Sequence, residues 1–195
     1  MYWKTGALIV AVAIAFGSGA SAAIRITPPA VPDGLEVEGG FKPFLVGHAI
    51  GTQNYVCAPA ATPSGTDWLF IGPQATVFNA STEQILTHYQ SKNPLKNDAL
   101  HATWQHSRDT SAVWATKLRG SLDAAYVAPG AIEWLLLEVT GDQLGPDGGD
   151  ALFGARFIQR VNTVGGLKPP AGECTPSTFN TRKLVYYEAD YYFYK

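Results

Sequence analysis

An all-β, antiparallel architecture is what this sequence predicts, and three observations carry it. Short runs rich in β-branched and aromatic residues recur along the chain, separated by clusters of Gly, Pro, Asn and Asp. The C-terminal run alternates without a slip. Val185, Tyr187, Ala189, Tyr191 and Phe193 fall on one face, and Tyr186, Glu188, Asp190, Tyr192 and Tyr194 on the other. There is no strand–helix–strand alternation and no internal repeat. Eight or nine short strands with turns between them predict a two-sheet β-sandwich carrying at most one or two short helices.

The elements follow in order. Lys4 precedes an apolar run at residues 7–16, and small residues then lead to Ala20-Ser21-Ala22, the pattern that signal peptidases cut. The run is about half the ~20 residues that cross a bilayer. Residues 1–22 are therefore expected to be a cleaved signal peptide, and residues 23–195 one domain. The expected location is secreted and extracellular, or periplasmic in a Gram-negative bacterium. Pro28, Pro29 and Pro32 keep the chain extended up to the domain. Residues 45–57 alternate loosely. Residues 68–71 and 75–78, with Gly72-Pro73 between them, predict a hairpin.

Residues 82–90 are the one candidate helix, where Thr82 is placed to cap and Ile85, Leu86 and Tyr89 sit at helical spacing, with a strand as the alternative for so short a segment. Strands are expected at residues 101–106, 112–118, 132–139 and 153–164. Trp134-Leu135-Leu136-Leu137 is apolar on both faces, which predicts a strand buried on both sides.

Composition narrows the function classes. The whole chain has a formal charge of −2, and loss of Lys4 would make the remainder one unit more acidic. No basic stripe suits nucleic acid, and no basic amphipathic segment suits a membrane surface after leader cleavage. Neither G-x-G-x-x-G nor G-x-x-x-x-G-K occurs, so no nucleotide cofactor is implied. Cys57 and Cys174 are the only cysteines. An oxidising compartment makes one disulfide their simplest reading, against two free thiols with a redox or metal role.

Candidate chemistry sits in two polar blocks and one isolated histidine. Trp104-Gln105-His106-Ser107-Arg108-Asp109-Thr110-Ser111 holds a base, an acid, a guanidinium and hydroxyls beside an aromatic plane. It is the inventory of a small catalytic or sugar-binding site, and equally of an ordinary polar turn. The second block places Gln159 and Arg160 midway along an apolar strand, pointing to opposite faces. A buried Arg160 would need a partner, and Glu133 or Asp109 could supply the carboxylate. His88 can join either block only through the fold. The candidate ligand-site residues are therefore His88, Trp104, His106, Arg108, Asp109, Gln159 and Arg160. His101 and His106 are five apart and cannot easily share a metal. Asn79-Ala80-Ser81 is a glycosylation sequon, relevant in a eukaryotic source.

Several of these segments together resemble one family. They are Gly51-x-Gln53-x-Tyr55-x-Cys57, His88-Tyr89, the run from Thr103 to Trp114, Trp134-Leu135-Leu136-Leu137, the run from Ile158 to Gly166, Cys174, and Ala189-Asp190-Tyr191-Tyr192-Phe193-Tyr194. In that order they resemble the family catalogued as domain of unknown function 3455. The resemblance implies an exported protein of a type found in fungi and bacteria, and it brings no activity or catalytic residues. Some relatives carry a malate dehydrogenase label, which the missing dinucleotide fingerprint does not support. The expected function is a non-catalytic module binding a carbohydrate or small ligand on an aromatic surface drawn from Tyr55, Trp104, Trp114 and the terminal tyrosines. The alternative is a hydrolase-like enzyme using His106 and Asp109 in a cleft.

Overall fold

The computed structural model describes Met1 and residues 25–195, so the expected leader lies, beyond Met1, outside the described residues. Eight strands follow: β1 (Pro43–Pro59), β2 (Thr66–Phe78), β3 (Gln84–Asn93), β4 (Ala99–His106), β5 (Ala112–Ser121), β6 (Trp134–Gln143), β7 (Phe157–Gly165) and β8 (Arg182–Tyr194). Each pairs antiparallel with its neighbour in sequence, and β1 pairs with β8 from Pro43 opposite Tyr194 to Val56 opposite Arg182. The all-β expectation holds, but the sandwich is corrected to a single closed eight-stranded barrel. Alternation of apolar and polar residues is the same in both architectures. Closure depends on the one pairing between the ends of the chain, which local pattern does not encode.

Three element assignments also change. Residues 68–78 form no hairpin. Gly72-Pro73 lies inside the continuous strand β2, at the register shift opposite Asn54 and Tyr55. Gly72 has φ +122°, a conformation that L side chains rarely adopt, so this glycine makes a bulge that bends β1 and β2 together. The candidate helix at residues 82–90 is β3. Thr82 does not cap a helix; it sits at φ 62° in the hairpin turn, where Asn79 Oδ1 accepts the Ser81 and Glu83 N–H groups at 2.9 and 3.0 Å. Burial alternates along β3, with Leu86 and His88 inside, and that period overrides the short helical spacing. Finally, the strand expected from residue 153 begins at Phe157.

The barrel interior holds the main core, including Ala49, Val77, Leu86, Trp104, Val113, Leu137, Ile158, Tyr187, Tyr191 and Phe193. Fully burying a large apolar side chain contributes about 1.5–3 kcal/mol. The alternation read in β8 is correct: Tyr187, Ala189, Tyr191 and Phe193 face inward and are at most 1% exposed. A second core lies outside the barrel wall. Leu35 and Val127 cover Trp134, Leu136 and Val161 there, which is why the Trp134–Leu137 run is apolar on both faces.

A third cluster of Tyr55, Cys57, Trp68 and Cys174 surrounds the Cys57–Cys174 disulfide, confirming the expected cross-link. It ties the β7–β8 connection, with short 3₁₀ turns at Ala171–Glu173 and Pro176–Thr178, to the end of β1. The two cysteines are 117 residues apart. Replacing both with serine is expected to lower unfolding free energy in urea by about 2–5 kcal/mol. The far-ultraviolet spectrum of the strands should be retained.

Candidate functional site

The two ends of the barrel are built differently. Connections 79–83, 107–111 and 144–156 gather at one end with the start of β1 and the end of β8, while 60–65, 94–98, 122–133 and 166–181 gather at the other. The first end is sealed. Connection 144–156 folds across it and places fully buried Leu152 and Ala155 in the interior core.

Asp109 holds this cap. Its Oδ1 accepts from the Ser111 N–H at 2.9 Å and the Ser111 hydroxyl at 2.7 Å, and its Oδ2 accepts from the Ala151 N–H at 2.8 Å. The Leu152 N–H donates to Ser111 Oγ at 3.1 Å. Gly145 and Gly149 permit the close approach, since a Cβ on them would lie 1.8 Å from Asp109 O and 2.3 Å from Asp109 Cβ. Desolvation works against the Asp109 carboxylate. The Ala151 and Ser111 hydrogen bonds, with His106 beside it, outweigh that and lower its pKa to about 2.

The block around His106 is therefore a clasp for a loop. His106 Nδ1 is 3.0 Å from Asp109 Oδ1, and the buried Ser111 hydroxyl donates to Asp109 and not to His106, so a Ser–His–Asp relay is not formed. Arg108 points outward, 3.6 Å from Glu83. Of the rings expected to form an aromatic surface, Tyr55, Trp104, Trp114, Tyr187, Tyr191 and Tyr194 are buried, Tyr192 is half-buried and Tyr186 is exposed. Gln159 lies on the outer wall, where its Nε2 donates to Leu35 O at 2.7 Å and its Oε1 accepts from Tyr194. It straps residues 31–37 to β7. His101 Nδ1 bonds Thr140 Oγ1 at 2.8 Å, close to Asn93.

The second end is open. There all eight strands contribute to a cavity of about 250 Å³, lined among others by Gln53, His88, Gln90, Trp104, Arg160 and Tyr191. Gln53, Phe70, Leu135 and Arg160 also line an adjoining hollow of about 490 Å³ toward Leu122, Ile132 and Leu167. Of the seven candidate residues, His88, Trp104 and Arg160 meet in this cavity; the other four do not. Gln53 was missed as a site residue. The alternation Gly51, Gln53, Tyr55, Cys57 could have found it, because it places one amide on an otherwise apolar inward face.

Three N–H donors on this cavity's lining residues find no acceptor in the protein: Gln53 Nε2, Trp104 Nε1 and Arg160 Nε. Gln53 and Trp104 are 4% and 1% exposed, so solvent does not satisfy them freely. Arg160 Nη2 donates to the backbone oxygen of Glu133 at 2.9 Å. Neither expected carboxylate pairs with Arg160. Glu133 gives both its oxygens to Lys117 at 2.8 and 2.7 Å, and Asp109 is at the sealed end.

Burial chiefly, with a smaller effect from the Arg160 charge, lowers the His88 pKa to about 3 and keeps the ring neutral. Its Nδ1–H donates to Thr103 O at 2.9 Å, leaving Nε2 as an acceptor, and the ring stacks on Trp104 with centroids 4.0 Å apart. Burial raises the Tyr191 pKa, which Arg160 partly offsets.

Fold and site together define a closed up-and-down β-barrel with one sealed end and a donor-lined interior open at the other. The chain belongs to the family described as Protein of unknown function (DUF3455), whose model matches residues 38–195. No curated protein matches the chain, and no solved structure does.

Two pH effects follow. Asp109→Ala is expected to cost about 2–3 kcal/mol at pH 7. Because the folded-state pKa is depressed, that cost should shrink as pH falls from about 4 toward 2, as read by denaturant unfolding at each pH. His88 also has a depressed pKa, so the unfolded chain takes up its proton first. Wild-type stability is therefore expected to fall between pH 6.5 and about 3, and His88→Phe should flatten that slope in thermal melts.

Proposed function

We propose that this protein is a non-catalytic binding module that takes a small ligand into the open end of its barrel. The observation that carries the reading is the set of unpartnered donors on Gln53, Trp104 and Arg160, all lining one cavity. Buried polar groups without partners cost stability, and a ligand bearing acceptors would recover it. Eight-stranded barrels are wide enough for a filled core or for one small ligand. Here the sealed half is filled and the open half has the cavity. The pocket is mainly apolar with a few polar groups, the composition of small-molecule sites.

Export accompanies this proposal. A leader of the expected form and a disulfide both suit an oxidising, extracellular or periplasmic setting. The His48–Asp190 pair, at 2.9 Å on the outer β1–β8 face, suits a wall that meets water.

The test uses two fluorescent probes, neutral N-phenyl-1-naphthylamine and anionic 8-anilinonaphthalene-1-sulfonate. At least one should bind saturably at one per chain, with a blue-shifted emission and energy transfer from tryptophan. Ala102→Trp, which puts an indole on the cavity wall, should weaken that binding at least tenfold while retaining cooperative melting. If neither probe binds the wild-type protein saturably, the reading fails.

A further inference from the structure

We infer that the ligand is a small amphipathic monocarboxylate, its carboxylate seated on Arg160 and its apolar part on the cavity wall. The inference deepens the lumen-binding reading and rests on it. It begins from charge. Arg160 is half-buried with its Nε enclosed, and a guanidinium partly removed from water is costly unless an anion compensates it. Acidic side chains stand nearby, yet each is committed elsewhere. Glu133 holds Lys117 with both oxygens, and Asp67 holds Lys168 with both at 2.9 Å. Lys117, Glu133 and Lys168 line the cavity or the adjoining hollow, so these pairs cancel at its mouth. Arg160 is left as a single uncompensated positive charge.

Donor chemistry narrows the class. Gln53 Nε2, Trp104 Nε1 and Arg160 Nε are donors without an acceptor, and they outnumber the one buried lining ring nitrogen left to accept, His88 Nε2. A carboxylate is an acceptor-only group with two oxygens and about four lone-pair sites, and it matches the planar edge of an arginine. A neutral sugar would bring as many donors as acceptors and leave the charge in place. A phosphate monoester carries about −1.5 to −2 at neutral pH and would overcompensate a lone cation.

The remaining surface calls for an apolar body. Trp104, Ala102, Ala115, Leu135 and Leu137 form much of the cavity wall. At its mouth, Phe70 and Leu100 are 50% and 62% exposed, and Leu122 and Leu167 continue the apolar rim around the adjoining hollow.

The experiment displaces bound N-phenyl-1-naphthylamine, or 8-anilinonaphthalene-1-sulfonate if only that probe binds, with four eight-carbon compounds: octanoate, octanol, octyl phosphate and octyltrimethylammonium. Octanoate should displace the probe at a concentration at least tenfold below that of octanol, with octyl phosphate weaker than octanoate and the cation weakest. Arg160→Met should bring octanoate to within about twofold of octanol, while Arg160→Lys keeps part of the gap. Wild-type calorimetry with octanoate gives a second readout should the methionine variant not fold. Equal displacement by octanol and octanoate overturns the inference and leaves lumen binding standing. So does tighter displacement by octyl phosphate, or an undiminished gap in a folded Arg160→Met. Failure of both probes to enter the wild-type barrel removes the lumen-binding reading itself.

Discussion

Strand β1 is the member on which the rest of the structure hangs, because its pairing with β8 closes the barrel. Its seventeen residues pair with β2 on one side and with β8 on the other, and the second of these contacts joins the two ends of the domain. Without it the sheet would have two open edges, each a row of unsatisfied amide and carbonyl groups. With it, every inward side chain faces a common interior. A strand this long cannot stay straight around a small cylinder. The bulge at Asn54–Tyr55, matched by Gly72-Pro73 across the pair, supplies the bend.

Closure divides the interior into two halves with opposite chemistry. Toward the sealed end the core is aliphatic and aromatic, and the Asp109 clasp keeps Leu152 over it. Toward the open end the same inward positions carry Gln53, His88, Gln90 and Arg160. These polar side chains are partly matched to one another's surroundings and partly left without acceptors, which is unusual for an interior that serves stability alone. The neutral state of His88 fits the division: burial strips its charge, so the lumen has Arg160 as its principal cation.

Much of this was legible in the chain, and the failures have physical reasons. The faces of β8 and the double burial of Trp134–Leu137 could be read directly, since period-two alternation reports what each side chain meets. Cys57 and Cys174 could be paired because they are the only two cysteines and an oxidising setting favours one disulfide over two free thiols. Arg160 and Gln159 were recognised as pointing to opposite faces of one strand, and they do: one enters the lumen, the other straps the outer wall. What alternation cannot report is curvature, so the closed barrel was read as a sandwich. Nor does it report which end of a strand lies beside which. His106 and Asp109 stood next to Trp104 in sequence, yet a few residues along β4 separate the sealed end from the cavity. Glu133 lay close enough to suggest a partner for Arg160, but it contributes its backbone oxygen and keeps its carboxylate for Lys117.

Lys42 and Lys195 exchange backbone hydrogen bonds at the sealed end, and residues 25–28 lie beside Lys42 and Pro43. Material attached behind residue 195 therefore departs on the side away from the cavity mouth. The molecule can be tethered there, to a bead, a surface or a fused protein, with its entrance still facing outward. The nearness of residues 25–28 to Lys195 makes the described domain a natural candidate for joining residue 195 to residue 25 and cutting the chain anew elsewhere.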